Sequence, residues 1–202
     1  VFTYKYNFFW MVFLMYYSNK SILTDNYLKS LSEPFKFILL IFIGSILLTI
    51  SAKISIPFFP VPMTMQTLVV LFIGMTFGRI LAPATICLYL FQGAIGLPVF
   101  ATGGGILYLL GPTGGYLVGF LLSSIVLSNL AAIGWDKKYF LTLLSLILGI
   151  SIIFIVGLLQ LSFVLNLSLI KSIQIGLSPF IFGELFKILI LTILIPFISN
   201  KH

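Results

Sequence analysis

The sequence predicts an all-α integral membrane protein, a bundle of six transmembrane helices with N- and C-termini cytoplasmic and a ligand pocket near the outer face. Three observations lead there. The 202-residue chain is 60% hydrophobic and only 7% charged, with a mean hydropathy of +1.23. A soluble domain carries about a quarter charged residues to keep its surface in water, so this chain has too few to coat a globule. The apolar residues gather into six runs, each long enough or nearly so to cross about 30 Å of hydrocarbon, which takes roughly 20 helical residues. The basic residues are scattered singly between these runs and fall unevenly on the two sides.

The runs are Phe35–Ala52, Met63–Phe77, Leu81–Ile95, Gly114–Ile133, Phe140–Leu165 and Pro179–Ile198. The second and third are short and call for tilt, a thin bilayer or shielding by loops. None alternates apolar with polar residues as a membrane barrel strand does. With the N-terminus inside, the inner side receives Lys5, Lys20, Lys29, Lys36, Arg79, Lys137, Lys138 and Lys201, and the outer side only Lys53 and Lys171. This bias places both termini in the cytoplasm. The net charge of +7 does not indicate nucleic acid as a partner, because no aromatic-interleaved basic patch exists to follow a phosphate backbone.

Ahead of the spans, residues 1–30 read as an N-terminal extension, either an interfacial helix or a non-native addition, and residues 31–202 as one six-helix membrane domain. Val1–Tyr17 is aromatic but interrupted by Lys5 and Asn7, and no cleavage pattern for a signal peptide follows it. Tyr27–Pro34 is a short amphipathic approach, with Ser32-Glu33-Pro34 opening the first span. Pro57, Pro60 and Pro62 stiffen the next loop, with Phe58 and Phe59 at its tip. Gly93–Tyr116, GAIGLPVFATGGGILYLLGPTGGY, holds eight glycines and two prolines without one charge. Glycine and proline so dense do not continue a helix, so this is a shaped loop, with Thr113 capping the fourth span. Asp136-Lys137-Lys138 beside Trp135 is a plain cytoplasmic turn. The proline loop, the glycine loop and the Asn166–Ser178 loop all fall outside on this topology, where they frame a cavity.

Catalytic machinery is missing. The one cysteine, Cys87, lies inside the third span and reads as a buried structural thiol; the one histidine is His202. Metal sites built on His/Cys clusters and hydrolases with an internal histidine base lack their parts, and no ATP-binding motif is present. The chain therefore reads as a non-enzyme with no metal and no cofactor. The polar residues within the spans carry what chemistry there is. Glu184 and Lys187, spaced i, i+3, share one face of the sixth span, about two turns below its outer end. A mid-membrane charge costs about 2.5–3.5 kcal/mol on insertion scales. The pair either neutralises itself and fixes helix rotation, or Lys187 meets an anionic group of a ligand while Glu184 holds the lysine and accepts a ligand hydrogen bond. Gln66 opens the second span and offers an amide to a ligand or to a neighbouring helix. Tyr89, Gln92 and Gln160 read as interhelical glue. Tyr116 is an aromatic cover for an apolar ring or an interfacial anchor.

Three segments, Gly93–Tyr116, Pro60-Val61-Pro62-Met63-Thr64-Met65-Gln66-Thr67 and Gly183-Glu184-Leu185-Phe186-Lys187, together resemble the BioY family, the biotin-specific substrate-binding (S) components of energy-coupling factor (ECF) vitamin transporters. The resemblance runs from about Leu31 to the C-terminus. It implies biotin capture at the outer face of a prokaryotic cytoplasmic membrane and delivery inward, with a membrane-embedded ECF coupling protein (T component) and two cytoplasmic ATPases as partners beside the lipid bilayer. Biotin has a carboxylate on an apolar arm and a neutral ureido head. The residues available to it are Lys187 for the anion, with Glu184 beside it; Gln66, Thr102, Thr113 and the backbone of Gly103 and Gly104 for the head; and Phe100, Leu97 and Tyr116 for the walls. The family element usually reads Gly-Asp with Lys three residues on, so Glu184 is one methylene longer. The resemblance also implies that the first helix docks on the coupling protein through small residues, often an alanine pair. That pair is absent, and Ser45, Thr49 and Ala52 at i, i+4 and i+7 are its substitute or else an internal contact. Two alternatives stay open: an S component for another small anionic vitamin, and a structural membrane protein without ligand.

Overall fold

The computed structural model describes residues 33–200. The N-terminal extension, the basic residues Lys5, Lys20, Lys29 and Lys201, and Ser32 of the expected helix start lie outside the described residues. Helix α1 spans Glu33–Lys53, and a small antiparallel ladder follows, β1 Ser55–Ile56 on β2 Met63–Thr64, in the register Ser55↔Thr64 and Ile56↔Met63. The remaining helices are α2 Gln66–Thr76, α3 Leu81–Ala94, α4 Ile106–Leu110, α5 Gly114–Ala132, α6 Tyr139–Leu165, α7 Leu169–Gly176 and α8 Ile181–Ser199, with single 3-10 turns at Trp135–Lys137 and Ser178–Phe180.

Among the described residues, four helical stretches are long and apolar enough to cross a membrane: Pro34–Lys53, Gly114–Ala132, Tyr139–Leu165 and the run Leu169–Ser199. Helices α2 and α3 have 11 and 14 residues. At 1.5 Å per residue they reach about 17 and 21 Å, short of the hydrocarbon thickness. Helix α2 can be short because it is sheltered. It packs on α5, α8 and α1, and Val70, Leu71 and Ile73 are fully buried. The outside of the bundle is apolar, with Phe182 85% and Phe163 84% exposed. Such a surface suits lipid, where backbone polar groups are satisfied within each helix and side chains meet acyl tails.

The interior has the opposite character, small and partly polar. Thr85, Ser124 and Ser145 are buried and return their hydroxyls to the carbonyls of Leu81, Leu121 and Leu141, which satisfies the oxygen without a partner helix. Helices α5 and α6 meet through glycine. A Cβ on Gly115 would lie 2.6 Å from the Val156 carbonyl oxygen, and one on Gly119 would lie 2.8 Å from the Ile153 Cα. Small residues four apart allow this approach, and in lipid, packing of this kind drives helix association.

Several expectations from sequence are corrected. The proline loop carries the β1–β2 ladder. The glycine loop contains α4, and the Asn166–Ser178 segment contains α7, started by Ser168, whose hydroxyl accepts from Lys171 N. Thr113 occupies the N-cap position of α5 but its side chain makes no capping bond; its carbonyl accepts from Tyr116 N at 3.2 Å. Cys87 is exposed on the outer surface of α3 rather than buried. Asp136 is no plain turn residue: it is buried and accepts the Ser199 hydroxyl, tying the α5–α6 turn to the end of α8. Ser45, Thr49 and Ala52 do not form an outward docking stripe. Ser45 is 1% and Ala52 0% exposed, Ser45 donates to Gln92 of α3, and Thr49 returns its hydroxyl to the Ser45 carbonyl. The contact is internal because a Cβ on the adjacent Gly44 would already lie 2.5 Å from Thr85, leaving room only for small residues.

Candidate functional site

Residues from both ends of the described chain converge beneath the β1–β2 ladder. The Lys187 ammonium donates to Glu184 Oε1 at 2.7 Å, to the Thr64 carbonyl at 2.7 Å and to Thr67 Oγ1 at 2.9 Å. The Thr67 hydroxyl in turn donates to Glu184 Oε1 at 2.9 Å. An ammonium has three protons, so Lys187 is fully committed. Glu184 is not: its Oε2 is buried and has no hydrogen-bond partner. A buried acceptor left unpaired costs about 1–3 kcal/mol, more when charged, and marks a place where a donor is wanted.

A cavity of about 60 Å³ lies against this cluster, with Glu184, Gln66, Thr67 and Thr113 as its polar wall and Phe100, Tyr116 and Phe154 among its aromatic wall. Lys187 sits behind Glu184, away from the cavity surface. Pro62 and the β2 residues Met63 and Thr64 also line the cavity. Gln66 is oriented on both sides. Its Nε2 donates to Tyr89 Oη at 2.7 Å, and Thr64 Oγ1 donates to its Oε1 at 3.2 Å. Tyr89 Oη donates onward to the Val99 carbonyl at 3.1 Å. Each amide has two protons and two lone pairs, so Gln66 retains capacity for a ligand.

The glycine segment supplies the wall from behind. The Phe100 ring lies edge-on to Tyr89 with centroids 5.4 Å apart, and 5.0 Å from Tyr108. It rests on Gly93, where an added Cβ would fall 1.9 Å from Phe100 Cζ. Gly105 enters α4 with φ of 99°, a conformation that favours glycine. Gly104 is required for another reason, since a Cβ there would lie 2.1 Å from the Leu97 carbonyl oxygen. Gln160 Nε2 fastens the segment to α6 by donating to the carbonyls of Leu109 and Gly111 at 2.8 and 2.7 Å. Tyr116 is an inner residue, not an interfacial anchor: it is buried, and its hydroxyl donates to the Gly176 carbonyl at 2.9 Å.

Of the residues expected at a site, Glu184, Gln66, Thr113, Tyr116 and Phe100 meet at the cavity. Thr102, Gly103, Gly104 and Leu97 do not line it. Thr102 is exposed and 3.4 Å from Tyr108 Oη, while the Gly103 carbonyl accepts from Phe100 N at 3.0 Å. Lys187 is brought to the site but holds Glu184 and the ladder instead of facing the cavity. Sequence reasoning assigned no role to Thr67, Tyr108, Phe154 or Phe180, all of which line it. Thr67 alone had a signal, one residue after Gln66 and on the helix face that meets Lys187.

Residues 22–201 match the BioY family model. The chain is 37% identical over 145 residues to "Biotin transporter BioY" of Thermotoga maritima, covering 71% of this chain and 84% of that one. It is 34% identical over 159 residues to "Biotin transporter BioY2" of Lactococcus lactis subsp. cremoris, covering 76% and 85%. Its fold is similar to the crystal structure of the S-component for biotin from an ECF-type ABC transporter, with a TM-score of 0.75 at 24% identity over 86% of this chain and 96% of that chain. With the family pattern matched over most of its length and a multi-helix apolar bundle of the same fold, the chain belongs to the BioY family.

Proposed function

We propose that this protein binds biotin at the outer face of a prokaryotic cytoplasmic membrane and delivers it inward as the S component of an ECF transporter. Residues 31–202 form its six-span domain, with residues 1–30 as an extension and both termini cytoplasmic. The short α2 and α3 count as spans in this reading, α2 sheltered by neighbouring helices and α3 accommodated by a locally thin bilayer. The ECF coupling protein and two cytoplasmic ATPases supply the driving force.

The observation that carries the reading is the unpaired Oε2 of Glu184, a residue that lines a cavity walled by Gln66, threonine hydroxyls and aromatic rings. A buried carboxylate with a free acceptor suits a neutral ligand head that donates N–H groups, as a ureido ring does. Gln66 pairs with the same head, while Phe100, Tyr116 and Phe154 cover the sulfur-containing ring. Lys187 acts through Glu184, holding it in place. At about 60 Å³ the cavity is smaller than the roughly 300 Å³ from which small-molecule pockets begin, so binding requires the ladder above it to move outward.

Titration of the purified protein with biotin, desthiobiotin, thiamin and riboflavin tests this. Biotin and desthiobiotin share the ureido head and should both bind, biotin more tightly for its ring; thiamin and riboflavin should not. Tight binding of thiamin or riboflavin instead would move the chain to another vitamin, and no binding at all would favour a structural role.

A further inference from the structure

A carboxylate-bearing ligand seated on Glu184 by its neutral head must keep its own charge away from that residue. Like charges repel across a low-dielectric cavity far more than in water. Phe100 and Ala101 also line the cavity. Bonded to the backbone of that segment is a cation with no role in the cluster: Lys53, the last residue of α1, is exposed, and its Nζ donates to the Phe100 carbonyl at 2.6 Å. One of its three ammonium protons is thereby used, and two remain. Lys187 has none to offer. Lys36 is at the far end of α1, 17 positions away, or about 26 Å along the axis. Arg79, Lys137 and Lys138 lie in the α2–α3 and α5–α6 turns, on the side assigned to the cytoplasm. Lys171 on α7 is the other cation of the outer side but makes no side-chain bond to the cavity wall.

We infer that Lys53 is the residue that recognises the ligand carboxylate, tethering the glycine segment through Phe100 while presenting its charge to the end of the ligand's apolar arm. This rests on the biotin reading above. The ligand is then held at two ends by opposite rules: a buried anion takes the donor head, and an exposed cation takes the anionic tail. An exposed ion pair is weak and screened by salt, so the tail contact sets preference and capture more than total affinity.

The test is calorimetric binding of biotin and biotinamide, which lacks the charge, to wild type, Lys53→Met, Lys53→Arg and Lys171→Met. Wild type should prefer the acid by up to about fivefold at low salt, the range expected of an exposed charge pair, and lose that preference in high salt. Lys53→Met should bind both ligands at the amide's affinity, Lys53→Arg should keep the preference, and Lys171→Met should behave as wild type. Equal loss of acid and amide in Lys53→Met would reduce Lys53 to a tether, and a preference abolished by Lys171→Met instead would reassign the contact; either overturns the inference. Wild type that binds both ligands equally overturns it too and leaves biotin binding standing, whereas wild type that binds neither overturns the biotin reading itself.

Discussion

Lys187 and Glu184 form a buried ion pair, 2.7 Å from nitrogen to oxygen, in which the lysine is saturated and the carboxylate is not. Glu184, the member of the pair that lines the cavity, therefore has an acceptor to spare. Lys187→Met removes the cation and strands a buried carboxylate. Breaking such a pair from one side costs about 3–5 kcal/mol, which should appear as a lower melting temperature in detergent. Biotin and biotinamide should weaken by the same factor, because no proton of Lys187 reaches the ligand. A loss confined to the acid would return Lys187 to the role of carboxylate partner.

Tyr89→Phe tests whether Gln66 is oriented for binding. The phenol oxygen accepts from Gln66 and donates to Val99. Its removal leaves a buried amide proton and a carbonyl unpaired, at about 1–3 kcal/mol. Biotin affinity should fall about tenfold as Gln66 turns away, one tenfold step being about 1.4 kcal/mol. In the double variant with Gln66→Ala, the Phe substitution should add little further loss, since it acts through the residue already removed. Full additivity would show that Tyr89 works independently of Gln66.

Gly104 and Gly115 should fail in different ways. A methyl at Gly104 meets the Leu97 carbonyl at 2.1 Å, inside the segment behind the cavity wall. Gly104→Ala should abolish biotin binding while the bundle melts nearly as before. A methyl at Gly115 meets the α6 backbone at 2.6 Å and wedges two long helices apart. Overpacking costs about 1–3 kcal/mol, so Gly115→Ala should lower the melting temperature and the level of protein in the membrane. Identical behaviour of the two variants would mean that the glycine segment and the bundle are one cooperative unit.

The four long helices were legible in the sequence, because a bilayer imposes a span on a crossing helix and hydropathy reports it residue by residue, whereas the short helices inside the glycine and Asn166–Ser178 segments were not. The pairing of Glu184 with Lys187 was legible for a similarly local reason, their spacing on one helix. The direction in which each helix faces was not. A helix apolar all round has no polar face to mark its outer side, so Cys87 read as buried and lies outside, while Ser45 read equally as a docking surface or an internal contact and lies inside. The cavity wall was half legible. Gln66, Phe100, Thr113 and Tyr116 sit in distinctive motifs, whereas Phe154 and Phe180 come from plain apolar sequence and reach the cavity only through packing of α6 and the turn before α8.

The inward face of α1 gives the last prediction. Ser45 is almost fully buried, its hydroxyl donates to Gln92, and Gly44 beside it already touches Thr85. A large side chain at Ser45 has nowhere to go without parting α1 from α3. Helix α3 carries Tyr89, which holds Gln66 at the cavity, so the displacement should travel to the site. Ser45→Trp should therefore lose biotin binding and melt at lower temperature in detergent, while Ser45→Ala, which keeps the volume, should cost only about 1 kcal/mol for the lost hydrogen bond. The exposed residues of α1, Ile38, Phe42 and Ile46 among them, are free of this constraint. Ile46→Trp should leave binding and melting unchanged. If Ser45→Trp instead binds biotin normally and loses only its association with the coupling subunit, α1 turns its small residues outward in the membrane and the packing of α1 on α3 described above is wrong.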